Sequence, residues 1–133
     1  MEATKPQMPA RRYINLPGKS ASLPFSDAVL AGDALYISGR LGFDAATGKI
    51  PQDAEQEARN LLDGIQAVLR QAGMTVDDLV QVQIFCPDVS LFERFNSVYR
   101  EYFKGELPAR AFLGSGPLLF GARFEMMGIA VKR

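Results

Sequence analysis

Leu107-Pro108-Ala109-Arg110-Ala111-Phe112-Leu113, then a Gly/Pro loop, then Arg123-Phe124-Glu125-Met126-Met127-Gly128-Ile129-Ala130-Val131 make up the C-terminal stretch that decides the fold. Both apolar runs have strand character, and each carries a charge inside it, Arg110 in the first and Glu125 in the second. A guanidinium or carboxylate taken out of water costs several kcal/mol, roughly, unless it is paired and hydrogen-bonded. Two readings follow. Arg110 and Glu125 are the chemical groups of a site, or they form a structural ion pair across neighbouring strands. The last run is also apolar on both sides, with Phe124, Met126 and Ala130 on one face and Met127, Ile129 and Val131 on the other. Only two amphipathic helices can be read upstream to cover one face. The simplest cover for the other is a second copy of the chain, so the pattern predicts an oligomer without giving its number.

The clearer of those helices starts after Asp53, a suitable N-cap, and stops at Gly73. Ala54, Ala58, Leu61, Leu62, Ile65, Val68, Leu69 and Ala72 recur at three- and four-residue spacing, leaving Glu55, Glu57, Arg59 and Arg70 to a solvated face. Thr75-Val76-Asp77-Asp78 reads as one short helical turn before the strand Val80–Phe85, which Cys86 ends. Ser90 and Glu93 have capping-box spacing for a second helix, with Leu91, Phe92, Phe95, Val98, Tyr99, Tyr102 and Phe103 as its apolar stripe and Gly105 as its stop. Those aromatics read as core. Asn96 within the helix has a local backbone carbonyl as its simplest partner.

Upstream, Phe25–Leu30 and Ala34–Ser38 suit an antiparallel pair about the turn Ala31-Gly32-Asp33, and Gly39 marks a bulge or a close approach. Tyr13–Leu16 has strand character and is broken by Pro17-Gly18-Lys19-Ser20, which lacks the full glycine spacing and the following helix of a phosphate loop. Residues 1–12 lack periodicity and read as a flexible N-terminal arm, leaving 13–133 as a single domain.

Composition narrows the chemistry. The 133 residues are one domain's worth, and fifteen basic residues balance fifteen acidic ones, so no net field favours nucleic acid. No histidine is present, which removes the commonest general base and metal ligand; one cysteine, Cys86, cannot replace it as a metal cluster. With only Pro87 beside it and no basic neighbour, Cys86 reads as a small buried hydrophobe. No metal or cofactor is expected. No apolar run approaches the roughly 18 residues of a membrane span, and no secretory signal is visible, so a cytoplasmic protein without membrane association is expected. What remains for chemistry is carboxylate, guanidinium, hydroxyl, backbone dipoles and water.

Pro108-Ala109-Arg110, Glu125, the Gly-Ile-Ala-Val-Lys-Arg terminus, Ile37-Ser38-Gly39, Thr47-Gly48-Lys49 and Asn96-Ser97-Val98-Tyr99 together resemble the Rid family of enamine/imine deaminases, also known as endoribonuclease L-PSP or translation inhibitors. The resemblance implies an α+β fold of ferredoxin-like or chorismate-mutase-like type, a mixed sheet with two helices on one face. It also implies a homotrimer with sites in the clefts between subunits. By the same resemblance, Arg110 holds the carboxylate of a small 2-imino or 2-enamino acid, Glu125 positions water, and Phe25, Ser38, Gly39, Asn96, Ala111 and Phe112 bind substrate.

The chain departs from the family pattern around that pocket. Pro24-Phe25 stands where a Pro-Tyr is usual, Phe112 where a cysteine is, Leu118-Leu119-Phe120-Gly121 where a Leu-Pro-Lys-Asp type loop is, and Met127 where a second acidic residue is common. The expected cleft is therefore more apolar, which makes bulkier or aromatic substrates conceivable. Two rivals stand beside the deaminase: a non-catalytic trimer binding small carboxylates, and an endoribonuclease, which the lack of histidine and of basic excess disfavours.

Overall fold

The computed structural model describes residues 10–133. Six strands, β1 (Arg11–Ile14), β2 (Ala28–Ala31), β3 (Ala34–Leu41), β4 (Leu79–Cys86), β5 (Ala109–Gly114) and β6 (Glu125–Val131), form one sheet in the order β1-β2-β3-β6-β4-β5. The two helices are α1 (Ala54–Gln71) and α2 (Phe92–Tyr99). Strands β4 and β5 are parallel, with α2 in the connection between them; the other pairings are antiparallel. The last strand thus inserts between β3 and β4, in the middle of the mixed sheet, while the first, β1, forms one edge.

Strand alternation sorts the two faces. Val82, Ile84 and Cys86 of β4 and Met126 and Ala130 of β6 are buried and pack with Leu61, Leu62, Ile65, Val68 and Leu69 of α1 and Phe95 and Val98 of α2. The opposite face carries Tyr36, Met127, Val131 and Leu113, all left exposed. Full burial of a dozen such side chains at about 1.5–3 kcal/mol each is the main stabilising term.

Local signals are mostly met. Asp53 caps α1 by accepting from Gln56 N at 3.2 Å, and Gly73 follows the C-cap at φ 73°, where a side chain would be strained. Thr75 and Asp78 form a reciprocal box around the short turn Val76–Asp78. Four expectations need correction. The Ser90/Glu93 box does not form: Asp88 caps a 3-10 turn, Val89–Leu91, and its Oδ1 takes both the N–H and the hydroxyl of Ser90, so the serine is already spent when α2 begins. The helix also ends early, at Tyr99, with Arg100–Tyr102 a further 3-10 turn. Arg11 and Arg12, expected in the arm, pair with Ala31 and Leu30 as the outermost strand, whose exposed edge tolerates charge. The remainder of that arm, residues 1–9, lies outside the described residues.

The strand expected from Phe25 begins only at Ala28. Residues 25–27 serve the loop instead: Asp27 Oδ2 accepts from Leu16 N at 2.8 Å, Asp27 N donates to Asn15 Oδ1 at 3.1 Å, and the Ser26 carbonyl accepts from Ser38 Oγ at 2.6 Å.

Candidate functional site

Arg110 sits on β5 opposite Val82 of β4, hence on the helix-covered face. Its guanidinium carbon lies 4.8 Å from the ring centre of Tyr99, 5.6 Å from Phe92 and 5.7 Å from Phe112. Among the described residues no carboxylate pairs with it. Aromatic faces attract a cation without neutralising it, by about 0.5–2 kcal/mol each, so the side chain is held in place while its charge stays available. It lines a cleft of about 280 Å³ with Phe92, Asn96, Tyr99, Arg100, Leu107 and Pro108. Helix α2 supplies one wall because residues 92, 96 and 99 recur at four- and three-residue spacing on one face, and Arg100 follows in the 3-10 turn.

Two polar atoms of this wall are buried without a partner, Asn96 Oδ1 and the Tyr99 hydroxyl. Asn96 is 5% and Tyr99 4% exposed. Such atoms cost about 1–3 kcal/mol each and call for an explanation. Burial pushes the Tyr99 phenol up to about 12, against the opposing pull of the Arg110 charge, so it stays a neutral donor throughout the physiological range.

Glu125 opens β6 opposite Phe85 of β4 and Leu41 of β3, on the face away from the helices. The β3–β6 register shifts between Ile37 and Arg40, which leaves Ser38 and Gly39 as a bulge beside it. A Cβ on Gly39 would collide with Oε1 of Glu125 and lie 3.1 Å from its Cδ, so the glycine is what lets the carboxylate fold onto the bulge. Ser38 donates to the Ser26 carbonyl, and Phe25, next to it in the chain, stays 47% exposed. Lys19 lies 4.9 Å from the Phe25 ring centre and donates to its carbonyl, fixing that loop.

The sheet therefore gathers two groups of expected residues. Phe25, Ser38, Gly39 and Glu125 form one, and Asn96, Arg110 and Phe112 the other. Strand β4 separates them: Arg110 aligns with Val82 and Glu125 with Phe85, an odd offset that puts them on opposite faces, about 14 Å apart at Cα from strand spacings. The alternative of an ion pair across neighbouring strands is thus not realised. Ala111, aligned with Gln83, faces away from the cleft that Arg110 lines. Phe112 packs edge-on to Phe92 at 5.1 Å and beside Phe95 at 5.7 Å, making it a floor under the guanidinium.

Buried charge supports the Glu125 side. Glu57, expected on the solvated face of α1, is fully buried and corrects that reading. Its carboxylate accepts from Arg123 N at 2.7 Å, Phe124 N at 3.1 Å and the Arg123 guanidinium at 2.7 Å, anchoring the residues that lead into Glu125. The helical spacing held the clue: Glu57 is three residues from Ala54 and four from Leu61, inside the apolar stripe. Asp27 and Arg40 make a second tie at 3.4 Å, linking the Phe25 loop to the bulge; burial lowers the Arg40 pKa, against the raising effect of Asp27. Phe92, Tyr99 and Leu107 were missed as cleft residues. The shared face of 92, 96 and 99 was the available signal, masked by the default that aromatics are core. Cys86 is buried and its thiol donates to the Asp88 carbonyl at 3.0 Å; burial raises its pKa, the opposite of what a nucleophile needs.

Among the described residues, no group of three or more His, Cys, Asp or Glu side chains could hold a metal, and no helix is long and apolar enough to cross a membrane. What the two groups can do is bind a carboxylate at Arg110 and hold a water or a proton at Glu125.

The family profile described as endoribonuclease L-PSP matches residues 17–132. A 2-iminobutanoate/2-iminopropanoate deaminase of Bos taurus is 37% identical over 124 residues, covering 92% of this chain and 90% of that protein. Its counterpart from Capra hircus is 36% identical over the same shares. Among solved structures, the Rid-family protein YyfA of Yersinia pestis superposes with a TM-score of 0.84 at 34% identity, over 92% of this chain and all of that one. The YjgF gene product of E. coli gives 0.85 at 28%, over 92% and 99%. With its charged residues, its bulge and its six-stranded sheet accounted for, the chain belongs to the Rid/YjgF family.

Proposed function

We propose that this protein hydrolyses reactive 2-imino acids, or their 2-enamino tautomers, to 2-keto acids and ammonia, in clefts that a neighbouring copy of the chain completes within a homotrimer. The observation that carries this is the Arg110 guanidinium, ringed by aromatics, without a carboxylate partner among the described residues, and beside unpartnered polar atoms of Asn96 and Tyr99. Deaminase names among relatives at 36–37% identity support it.

A planar guanidinium donates two parallel hydrogen bonds to a carboxylate, so Arg110 anchors the substrate and fixes where its C=N carbon sits. Water held by Glu125 adds to that carbon, giving one proton to the carboxylate as the C–O bond forms and the C=N pair moves onto nitrogen. Glu125 passes that proton to the nitrogen, and collapse then breaks the C–N bond as the carbinol hydroxyl returns a proton to Glu125, which goes to the departing ammonia and leaves the keto acid. A protonated imine is already a strong electrophile; a thousandfold gain needs only about 4 kcal/mol of barrier lowering, within reach of positioning and a few aligned dipoles.

Arg110 and Glu125 of one chain face opposite ways, so the site needs Glu125 from one copy and Arg110 from another. The exposed apolar face carrying Tyr36, Met127, Val131 and Leu113 is the surface available for that association. The test is direct: an amino-acid oxidase generates imino acid, and keto-acid formation is followed with wild type and with Arg110→Ala. Acceleration by wild type alone is expected. Equal rates would leave a carboxylate binder without catalysis.

A further inference from the structure

We propose that Phe92 and Leu107 make the Arg110 cleft selective for 2-imino acids whose side chain is bulky and apolar, aromatic above all, over the two- and one-carbon side chains of 2-iminobutanoate and 2-iminopropanoate. This rests on the deaminase reading above. A substrate whose carboxylate is clasped by Arg110 must lay the rest of its body along the cleft, where Phe92, Leu107 and Pro108 form an apolar stretch of the wall beside the polar groups of Asn96, Tyr99 and Arg100. Phe92 is 39% and Leu107 60% exposed, and both line the same space as the guanidinium. Pro108 extends the apolar lining.

Phe92 is not free to fold away. Its ring is braced edge-on by Phe112 at 5.1 Å and an interplanar angle of 85°, with Arg110 5.6 Å from its centre. A rigid ring with an open surface, next to a fixed cation, matches a ligand that carries an apolar ring or branched chain next to an anion. A methyl or ethyl group reaches little of that surface, whereas a phenyl ring can stack on it and displace the water there. The cleft, about 280 Å³, has room for about nine waters' volume, enough for such a ligand. On the Glu125 side the exposed ring is again aromatic, Phe25, held by Lys19.

The preference is read as a ratio. An amino-acid oxidase acting on phenylalanine, leucine or alanine supplies the three imino acids, and keto-acid formation above the spontaneous rate gives kcat/KM for each. The phenyl imine is expected to exceed the methyl imine by about tenfold or more, with the leucine-derived imine between them. In Phe92→Ala that ratio should fall by about tenfold, and Phe92→Leu, which keeps an apolar wall, should restore part of it; circular dichroism checks that both variants are folded. A methyl preference in wild type, or a ratio unmoved in both folded variants, overturns the inference while the deaminase reading stands. If none of the imines is hydrolysed faster by wild type than by Arg110→Ala, the deaminase reading falls, and this one with it.

Discussion

Replacing Gly39 by alanine separates the site from the scaffold. The backbone there is not in the left-handed region, so alanine adopts it without strain, and loss of unfolded-state freedom favours the variant by about 0.4–1 kcal/mol. The new Cβ lies 3.1 and 3.3 Å from Cδ and Cγ of Glu125 and closer still to Oε1, all on one flexible side chain. Relief therefore comes from swinging that carboxylate away by about 1 Å, at a rotamer cost of about 0.5–1.5 kcal/mol. The two terms nearly cancel, so Tm should move by less than about 5 °C. A misplacement of about 1 Å can cost about a hundredfold in rate, so kcat/KM for imine hydrolysis should fall by that order while the melt is unchanged. Thermal melting and the oxidase-coupled assay decide it. An unfolded variant, or one with full activity, would refute the claim that Gly39 exists to seat Glu125.

Gly42→Ala is the contrasting case: its Cβ would lie 2.9 Å from the Glu57 carbonyl carbon and closer to the oxygen, which cannot rotate away, so chemical denaturation should show a loss of at least about 1–3 kcal/mol. Glu57→Ala leaves two backbone N–H groups without their acceptor, at about 1–3 kcal/mol each by urea melts, while the Arg123 guanidinium keeps only the Pro51 and Gln52 carbonyls; the loop before Glu125 should loosen in hydrogen exchange. The Tyr99 phenol binds its proton more tightly folded than unfolded, so its contribution is fully present below about pH 10 and is lost as pH rises through about 12, a swing of about 3 kcal/mol. Tyr99→Phe should remove that part of the alkaline loss and be neutral or stabilising at pH 7, since the hydroxyl it deletes has no partner; pH-dependent urea melts of the two proteins check both points.

How much of this was legible in the sequence varies with the range of the interaction. Helix α1 was readable from Asp53 to Gly73 because cap, stripe and stop are all local. The two-sided apolarity of β6 announced a central strand with one face left over, though not that it lies between β3 and β4, because pairing partners are chosen by the whole sheet. Glu57 was misassigned because charge was taken to outweigh position in the helical stripe; three hydrogen bonds from Arg123 and Phe124 reverse that balance, and they come from residues 66 and 67 positions away. The Ser90/Glu93 spacing was right in form and lost to Asp88, a stronger acceptor two residues upstream of Ser90. At the candidate site the sequence pointed to Arg110 and Glu125 as residues with no ordinary reason to be there. Their placement on opposite faces depends on the offset between three strands, which no local pattern encodes.

That placement makes the sharing of each cleft by two copies the claim on which the mechanism rests. Arg110→Ala and Glu125→Ala are each expected to be inactive. If the two are unfolded together, refolded as mixed oligomers and assayed for imine hydrolysis, random mixing puts an intact Arg110 against an intact Glu125 in about a quarter of the clefts, so about a quarter of wild-type activity should return. A site built within one chain would gain nothing from mixing, and activity no greater than that of the separate variants would contradict the account.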